Sequence, residues 1–155
     1  MFLNMVDFTK PEAYEKQIAV YLANTQYQQA YELSKQFVEK FGQDMISHFL
    51  LMKSAFWLKK FDEAIKEGRI AFNLAHDKDM VICAIVLSSA YYLKGEYEKA
   101  YELLNDITTK DNEDVEKLLF IYSLAINNEK AAMQHIEKLY NINRRLAEDL
   151  VLKFL

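Results

Sequence analysis

Histidine and cysteine are the residues of this chain with the widest chemical use, because they act as nucleophiles, proton carriers and metal ligands. The three histidines, His48, His76 and His135, are separated by 28 and 59 residues, and none of the close spacings typical of zinc sites occurs. Cys83, the single cysteine, lies in an apolar stretch that indicates a buried structural thiol. We expect each histidine to lie at the surface or at an interface and to bind no metal.

Other chemical motifs are equally sparse. The chain holds three glycines, too few for a glycine-rich loop that cradles phosphate groups. The acidic run at 111–116 lacks the central glycine and the ligand spacing of a calcium-binding EF-hand loop. Arg144 and Arg145 form a small basic spot that a solvated helix face explains. The sequence therefore predicts no catalytic residue, no cofactor site and no metal site, and a chain that is not an enzyme.

The composition indicates the fold class. The chain has 155 residues, of which 52% are hydrophobic and 27% are charged, as in one globular domain. Three glycines and one proline are too few for the many tight turns that an all-β protein of this length needs. We therefore expect an all-α fold.

Charge and hydropathy disfavour two kinds of partner. The chain carries 19 Lys and Arg against 23 Asp and Glu, and its net charge of −4 attracts neither nucleic acid nor anionic membranes. The longest nearly apolar run, 81–93, is shorter than the ~20 residues of a membrane-spanning helix. Residues 1–7 lack the basic and apolar regions of a secretory signal. We expect a cytoplasmic protein without nucleic-acid binding or membrane insertion.

The sequence repeats itself at intervals of about 35 residues. The segment YQQAYEL at 27–33 is nearly repeated as YEKAYEL at 97–103, and FDEAI at 61–65 lies between them. The alanines of these segments, Ala30, Ala64 and Ala100, are spaced by 34 and 36 residues, and Ala132 follows after another 32. Apolar residues flank the segments at spacings of three and four, which is typical of helices. Each repeat is therefore predicted to consist of two helices joined by a turn.

These features resemble the tetratricopeptide repeat (TPR) family, whose unit of about 34 residues is a pair of antiparallel helices. The match is closest at 88–100 (SSAYYLKGEYEKA), weaker at 54–64 and looser at 20–30. The resemblance implies an α-α superhelix, a TPR-like solenoid of antiparallel helix pairs forming one domain over residues 1–155. Its expected parts are units at 11–45, 46–80 and 81–114, a degenerate unit at 115–141, and a C-terminal capping helix at 142–155.

Six positions are expected to carry the packing of the repeats. Small residues let two helices approach closely, and aromatic residues fill the space beside them. The small residues are Ala30, Ala64 and Ala100, and the aromatic residues are Tyr27, Phe61 and Tyr97. Gly68 lies four residues after Ala64, on the same helical face, and is interpreted as a further close-contact position.

In TPR proteins the first helix of each unit lines the concave face, so the resemblance also implies a peptide-binding groove. The family register gives apolar and aromatic positions with small hydroxyls between them, namely Leu50, Ser54, Trp57, Leu58, Ile85, Ser89, Tyr92, Leu119 and Ser123. The alternative is that some of these side chains belong to the core between units. Trp57 and Tyr92 are 35 residues apart, and we expect both to project from one side as aromatic anchors.

The resemblance implies a protein–protein interaction module, such as an adaptor, an assembly factor or a chaperone-like scaffold, that binds a peptide or helix of another protein. A regulatory domain or subunit of an enzyme complex is one alternative, and a small secretion-type chaperone is another. A homo-oligomer is compatible with each of them. The RNA-binding pentatricopeptide repeat has a similar length, but the acidic net charge disfavours it.

Overall fold

A computed structural model describes residues 7–107 and 111–154 of the chain. Within these residues every regular element is a helix, which confirms the all-α prediction. The nine helices of the described residues are α1 (Pro11–Ala23), α2 (Tyr27–Phe41), α3 (Met45–Trp57), α4 (Phe61–Leu74), α5 (Asp77–Lys94), α6 (Tyr97–Asn105), α7 (Glu113–Ala125), α8 (Glu129–Ile142) and α9 (Arg144–Lys153). The expected absence of a secretory signal concerns residues 1–7, of which 1–6 lie outside the described part.

The chain divides into two compact units, Met1–Ala90 and Tyr91–Leu155. In the N-terminal unit, α1 packs on α2, α2 on α3, and α3 on α4. In the C-terminal unit, α6 packs on α7, α7 on α8, and α8 on α9. In each of these two runs, consecutive helices thus contact one another, as in proteins that are built from stacked helical repeats.

Four turns of the same geometry join the first helix of each repeat to the second. One residue in each turn has a positive φ: 58° at Thr25, 62° at Lys59, 94° at Gly95 and 58° at Asn127. The amide of the following residue donates to a carbonyl five residues back, as in the Gln26–Tyr21, Lys60–Ala55, Glu96–Tyr91 and Asn128–Ser123 pairs. This is the hydrogen-bonding pattern of a Schellman cap, which ends one helix and redirects the chain.

The turns fix the register of the repeats. Their positive-φ residues are 34, 36 and 32 positions apart, the same spacings that separate Ala30, Ala64, Ala100 and Ala132. The first three alanines are fully buried and Ala132 is 4% exposed, as the packing prediction requires. Gly68 is also confirmed as a close-contact position, because an added Cβ would lie 2.6 Å from the sulfur of Met52.

The aromatic residues at the start of the second helices lie close to the surface. Tyr27 and Phe61 are half-buried and Tyr97 is 41% exposed. The ring of Tyr27 stacks on that of Trp57 with a centroid distance of 5.5 Å. The ring of Tyr97 is tilted against Tyr92 at 5.1 Å, and that of Phe61 meets Phe56 edge-on at 6.0 Å. That these rings fill the space beside the alanines stays a prediction.

The last helix, α9, packs against α8 through Ala147 and Leu150, which are buried with Phe120 of α7 in one apolar cluster. Asn143 caps it by accepting a hydrogen bond from the amide of Leu146. Among the helices that the structure describes, none has the length and hydropathy to cross a membrane.

We predict that Ala100→Leu lowers the melting temperature of the chain, whereas Lys99→Leu changes it little. Ala100 is fully buried where α6 crosses its neighbour, and overfilling such a position typically costs about 1–3 kcal/mol. Lys99 is exposed, so a bulky apolar residue there meets solvent. Thermal unfolding followed by circular dichroism checks both variants, and equal melting temperatures would show that the register is wrong.

Candidate functional site

The most reactive side chains of the chain turn out to be structural. His48 and His135 are buried, at 8% and 4% exposure, so the expectation that they lie at the surface or at an interface is wrong. His76 is exposed, as expected. Nδ1 of His48 on α3 lies 2.7 Å from a carboxylate oxygen of Glu67 on α4, which compensates both groups for the loss of water.

The second pair has the same geometry with the two residues exchanged. Glu116 lies on the first helix α7 and His135 on the second helix α8, and their contact is again 2.7 Å. Each pair is separated by 19 residues, and the two pairs are offset by 68 residues, which is two repeats. The second and fourth repeats therefore place one imidazole and one carboxylate at this position, in either order.

The hydrogen bonds of His48 determine where its protons are. Nε2 of His48 lies 2.8 Å from the carbonyl oxygen of Gly42, which only accepts, so Nε2 carries a proton. His135 differs, because its Nε2 faces the Tyr101 hydroxyl at 3.1 Å, which can donate to it. These contacts use both ring nitrogens of each histidine for packing within the fold.

The remaining reactive groups are also enclosed. Cys83 is fully buried, as the sequence predicts, and burial raises the pKa of its thiol to about 11. A thiol with so high a pKa is a poor nucleophile at neutral pH. The pKa of Tyr31 is raised to about 12, chiefly because its hydroxyl donates to Glu63. No cluster of histidine, cysteine, aspartate and glutamate suited to a metal ion occurs in the residues that the structure describes.

The structure removes several residues from the predicted groove. Ser54 and Ser123 are fully buried, and each donates a hydrogen bond to the carbonyl one helical turn back, on Leu50 and Leu119. Leu119 itself is 3% exposed. These serines cannot line an open surface, so the groove prediction is wrong at both positions. In contrast, Leu58, Ile85, Ser89 and Tyr92 are half-buried and Trp57 is 50% exposed.

The cause is a register error in the second and fourth repeats. The left-handed turn residues Lys59 and Gly95 are equivalent, so Trp57 corresponds to Leu93. Tyr92 corresponds instead to Phe56, and the expected equivalence of Trp57 and Tyr92 is wrong by one residue. The signal was present in the sequence, because Ala64 and Ala100 are 36 residues apart rather than 35. The same correction moves the exposed positions of α7 by two residues.

With the register corrected, the accessible face of α3 carries a mixture of aromatic and basic groups. Its residues are Ile46, Phe49, Lys53, Phe56 and Trp57, all exposed or half-buried. The ammonium group of Lys53 lies 5.8 Å from the centroid of the Phe49 ring, in a cation–π contact. Sequence analysis predicted only Trp57 of this face and missed Ile46, Phe49, Lys53 and Phe56.

A pocket of about 350 Å³ lies between α1 and α3 on this face. Its lining consists of Ala19, Leu22, Ala23, Tyr27, Leu50, Lys53 and Trp57. Two of the predicted groove residues, Leu50 and Trp57, are therefore brought together here. The indole of Trp57 stacks nearly parallel on Tyr27, with 10° between the planes, so one wall is a rigid aromatic surface. Lys53 is the single charged member of the lining, counting the residues that the structure describes.

The C-terminal unit has a corresponding opening of different chemistry. Tyr97 is equivalent to Tyr27 within the repeat, and Ala125 is equivalent to Trp57. Because alanine offers no ring to stack on Tyr97, a pocket of about 460 Å³ remains beside it. Glu96, Glu98, Lys99 and Asn127 contribute to its lining, which makes this pocket more polar than the one at Trp57.

Comparison with known proteins identifies the fold. No protein-family model matches the chain, and no curated protein matches it significantly in sequence. Among solved structures it is similar to YrrB, described as a TPR protein with an unusual peptide-binding site, at a TM-score of 0.79 and 16% identity, covering 96% of this chain and 77% of YrrB. It is similar to MamA at a TM-score of 0.77 and 18% identity, over 90% of this chain and 76% of MamA.

A third similar structure is the Cut9–Hcn1 hetero-tetramer of the APC/C. The TM-score is 0.82 and the identity 19%, with coverage of 94% of this chain but only 30% of the matched chain. Together with the repeated helix pairs and turns, these likenesses show that the chain has the tetratricopeptide repeat fold. The resemblance inferred from the sequence is thereby confirmed at the level of the fold.

We predict that exchanging the buried pair, as His48→Glu with Glu67→His, preserves most of the stability of the chain. The exchange reproduces the arrangement of Glu116 and His135, and Tyr31 occupies the repeat position of Tyr101. His48→Ala alone should lower the free energy of unfolding by about 3–5 kcal/mol, because it leaves the Glu67 carboxyl buried without its partner. Urea unfolding at neutral pH measures each variant. A doubly exchanged chain that is no more stable than His48→Glu alone would contradict the prediction.

Proposed function

We propose that the chain is a protein-interaction scaffold whose first-helix face binds a segment of another protein. The observation that carries the proposal is the pocket between α1 and α3, where the half-exposed Trp57 stacks on Tyr27. A large aromatic side chain held rigidly at an open surface loses little conformational entropy on binding and contributes strongly to interfaces. Cys83, His48 and His135 are buried in the fold, which favours binding over catalysis.

The composition of the pocket indicates what it binds. Ala19, Ala23 and Leu22 form a shallow apolar floor beside the indole, which suits one aliphatic or aromatic side chain of a ligand. Lys53 also lines the pocket, and no ion pair of the described residues involves it. An acidic residue next to the apolar anchor would pair with Lys53. We therefore propose a ligand segment that combines an apolar anchor with a neighbouring carboxylate.

The similar structures support the same role. YrrB is described as having a peptide-binding site, and Cut9–Hcn1 is a complex of two kinds of chain, so TPR folds of this kind bind other polypeptides. The proposed role is that of a scaffold that binds a protein segment. The identity of that segment would decide whether the chain acts as an adaptor, an assembly factor or a chaperone.

A direct test selects ligands and then locates them. Peptides are selected from a random display library against the immobilised full chain, and the selected peptides are titrated in solution. Trp57 is the only tryptophan of the chain, so its fluorescence reports on this pocket alone. We expect the emission of Trp57 to change on binding and the selected peptides to be enriched in an apolar residue beside Asp or Glu.

We predict that Trp57→Ala weakens binding of a selected peptide at least about tenfold, as truncation of an aromatic anchor does. Leu74→Ala is the matched control, because Leu74 is also partly exposed but lies on the second helix α4. Affinity is measured by the anisotropy of a labelled peptide, and circular dichroism confirms that both variants fold. Equal affinities for Trp57→Ala and the parent chain would place the ligand elsewhere.

The contribution of charge is tested separately. Lys53→Glu should weaken binding of the same peptide at least about tenfold, because it places a carboxylate next to the acidic residue of the ligand. Lys66→Glu makes the same change of charge on the exposed side of α4 and should leave the affinity unchanged. Equal losses in the two variants would show that only the net charge matters and would contradict a specific pairing with Lys53.

A further inference from the structure

One stacking contact of the first two repeats is missing from the last two. In the N-terminal unit the indole of Trp57 lies on the ring of Tyr27, with 10° between the planes and 5.5 Å between the centroids. The equivalent residues of the C-terminal unit are Ala125 and Tyr97, because the turns that follow α3 and α7 are 68 positions apart. An alanine methyl group is much smaller than an indole. Tyr97 is accordingly 41% exposed, whereas Tyr27 is half-buried.

The pocket of about 460 Å³ lies at this place, between the start of α6 and the end of α7, and we name it the Tyr97 pocket. Residues 95–99 and 125–127 line it. Its volume is within the range of ~300–1,000 Å³ that is typical of ligand pockets. The Tyr97 ring contacts that of Tyr92, which in turn contacts the buried Tyr122, with centroid distances of 5.1 and 5.2 Å. These contacts restrict the Tyr97 ring, so that binding on it costs little conformational entropy.

The Tyr97 pocket also differs in charge from the equivalent place in the first repeat. Two glutamates and one lysine within residues 96–99 line it, whereas the equivalent residues 26–29 carry no charge. The carboxylate of Glu96 lies 3.5 Å from the ammonium group of Lys99. No ion pair of the described residues involves Glu98. With two carboxylates against one ammonium group, the lining is negative and favours a cationic group on the ligand.

We propose that the Tyr97 pocket binds a tryptophan side chain of another protein, next to an arginine or lysine in that protein's sequence. The indole lies on the Tyr97 ring above Ala125, in the place that Trp57 takes in the N-terminal unit. Stacked aromatic pairs of this kind are favourable beyond the burial of their surface. The neighbouring cation lies near Glu98. The chain's only tryptophan is already stacked on Tyr27, so a second copy of the chain does not supply the indole.

Three blocked dipeptides test both parts of the proposal on the full isotope-labelled chain by nuclear magnetic resonance. N-acetyl-Trp-Arg-amide should change the amide shifts of Lys99, Ala125 and Asn127. N-acetyl-Leu-Arg-amide, which has no ring, should bind at least about fivefold more weakly. N-acetyl-Trp-Glu-amide should bind about twofold to fivefold more weakly than the Trp-Arg dipeptide, because ion pairs at an exposed rim contribute modestly.

Variants of the chain test the location. Ala125→Trp supplies the indole from the chain itself and should weaken binding of the Trp-Arg dipeptide at least about tenfold. Met133→Trp is the matched control, because it adds the same indole at an exposed position of α8 outside the pocket, and it should leave the affinity unchanged. Glu98→Lys should remove the preference for the Trp-Arg dipeptide over the Trp-Glu dipeptide, whereas Glu137→Lys, the same change of charge on the exposed side of α8, should preserve it.

Several results would overturn the proposal. One is an absence of shift changes up to about 10 mM dipeptide, and another is equal affinity of the parent chain and Ala125→Trp. A Leu-Arg dipeptide that binds as tightly as Trp-Arg would show an apolar site without a preference for indole, and equal affinities of Trp-Arg and Trp-Glu would remove the basic neighbour. Shift changes confined to Ala19, Leu22 and Lys53 would place the dipeptide in the pocket at Trp57, which contradicts this inference but leaves the proposed function intact.

Discussion

The close crossing of paired helices at a small residue is the contact on which the rest of the structure depends. Ala30, Ala64, Ala100 and Ala132 lie at the same place in four helix pairs, and each follows a turn of the same hydrogen-bonding pattern. The turn fixes where the second helix begins, and the alanine fixes how closely it approaches. Together they determine which residues of every first helix face the core and which face solvent.

This constraint explains why residue types differ between repeats at some equivalent positions and not at others. The buried pair of His48 and Glu67 recurs two repeats later as Glu116 and His135 with the residues exchanged. In the second and fourth repeats the packing accommodates one imidazole and one carboxylate in contact, in either order. At the turns, Thr25, Lys59, Gly95 and Asn127 all adopt a positive φ, although glycine does so at the lowest cost. Backbone geometry is thus held more strictly than residue type.

The sequence predicted the helices well because their signals are local and periodic. The alanine spacing located the second helices, and the scarcity of glycine and proline indicated an all-α chain. The exposed face was predicted less well, because the segments between repeats differ in length. An offset of 35 residues between α3 and α5 predicted Ser54 at the surface in place of Lys53. The turn residues Lys59 and Gly95 show that the offset is 36. The contacts of His48 with Glu67 and Gly42 depend on residues that only folding brings together.

The central claim is that the first-helix face around Trp57 is the surface that binds another protein. Nuclear magnetic resonance of the isotope-labelled chain, titrated with a selected peptide, tests it most directly. The account predicts that the earliest and largest chemical-shift changes in the titration belong to the backbone amides of Ala19, Leu22, Lys53 and Trp57. Perturbations concentrated on the exposed residues of α2 and α4, with those four amides unchanged, would contradict it.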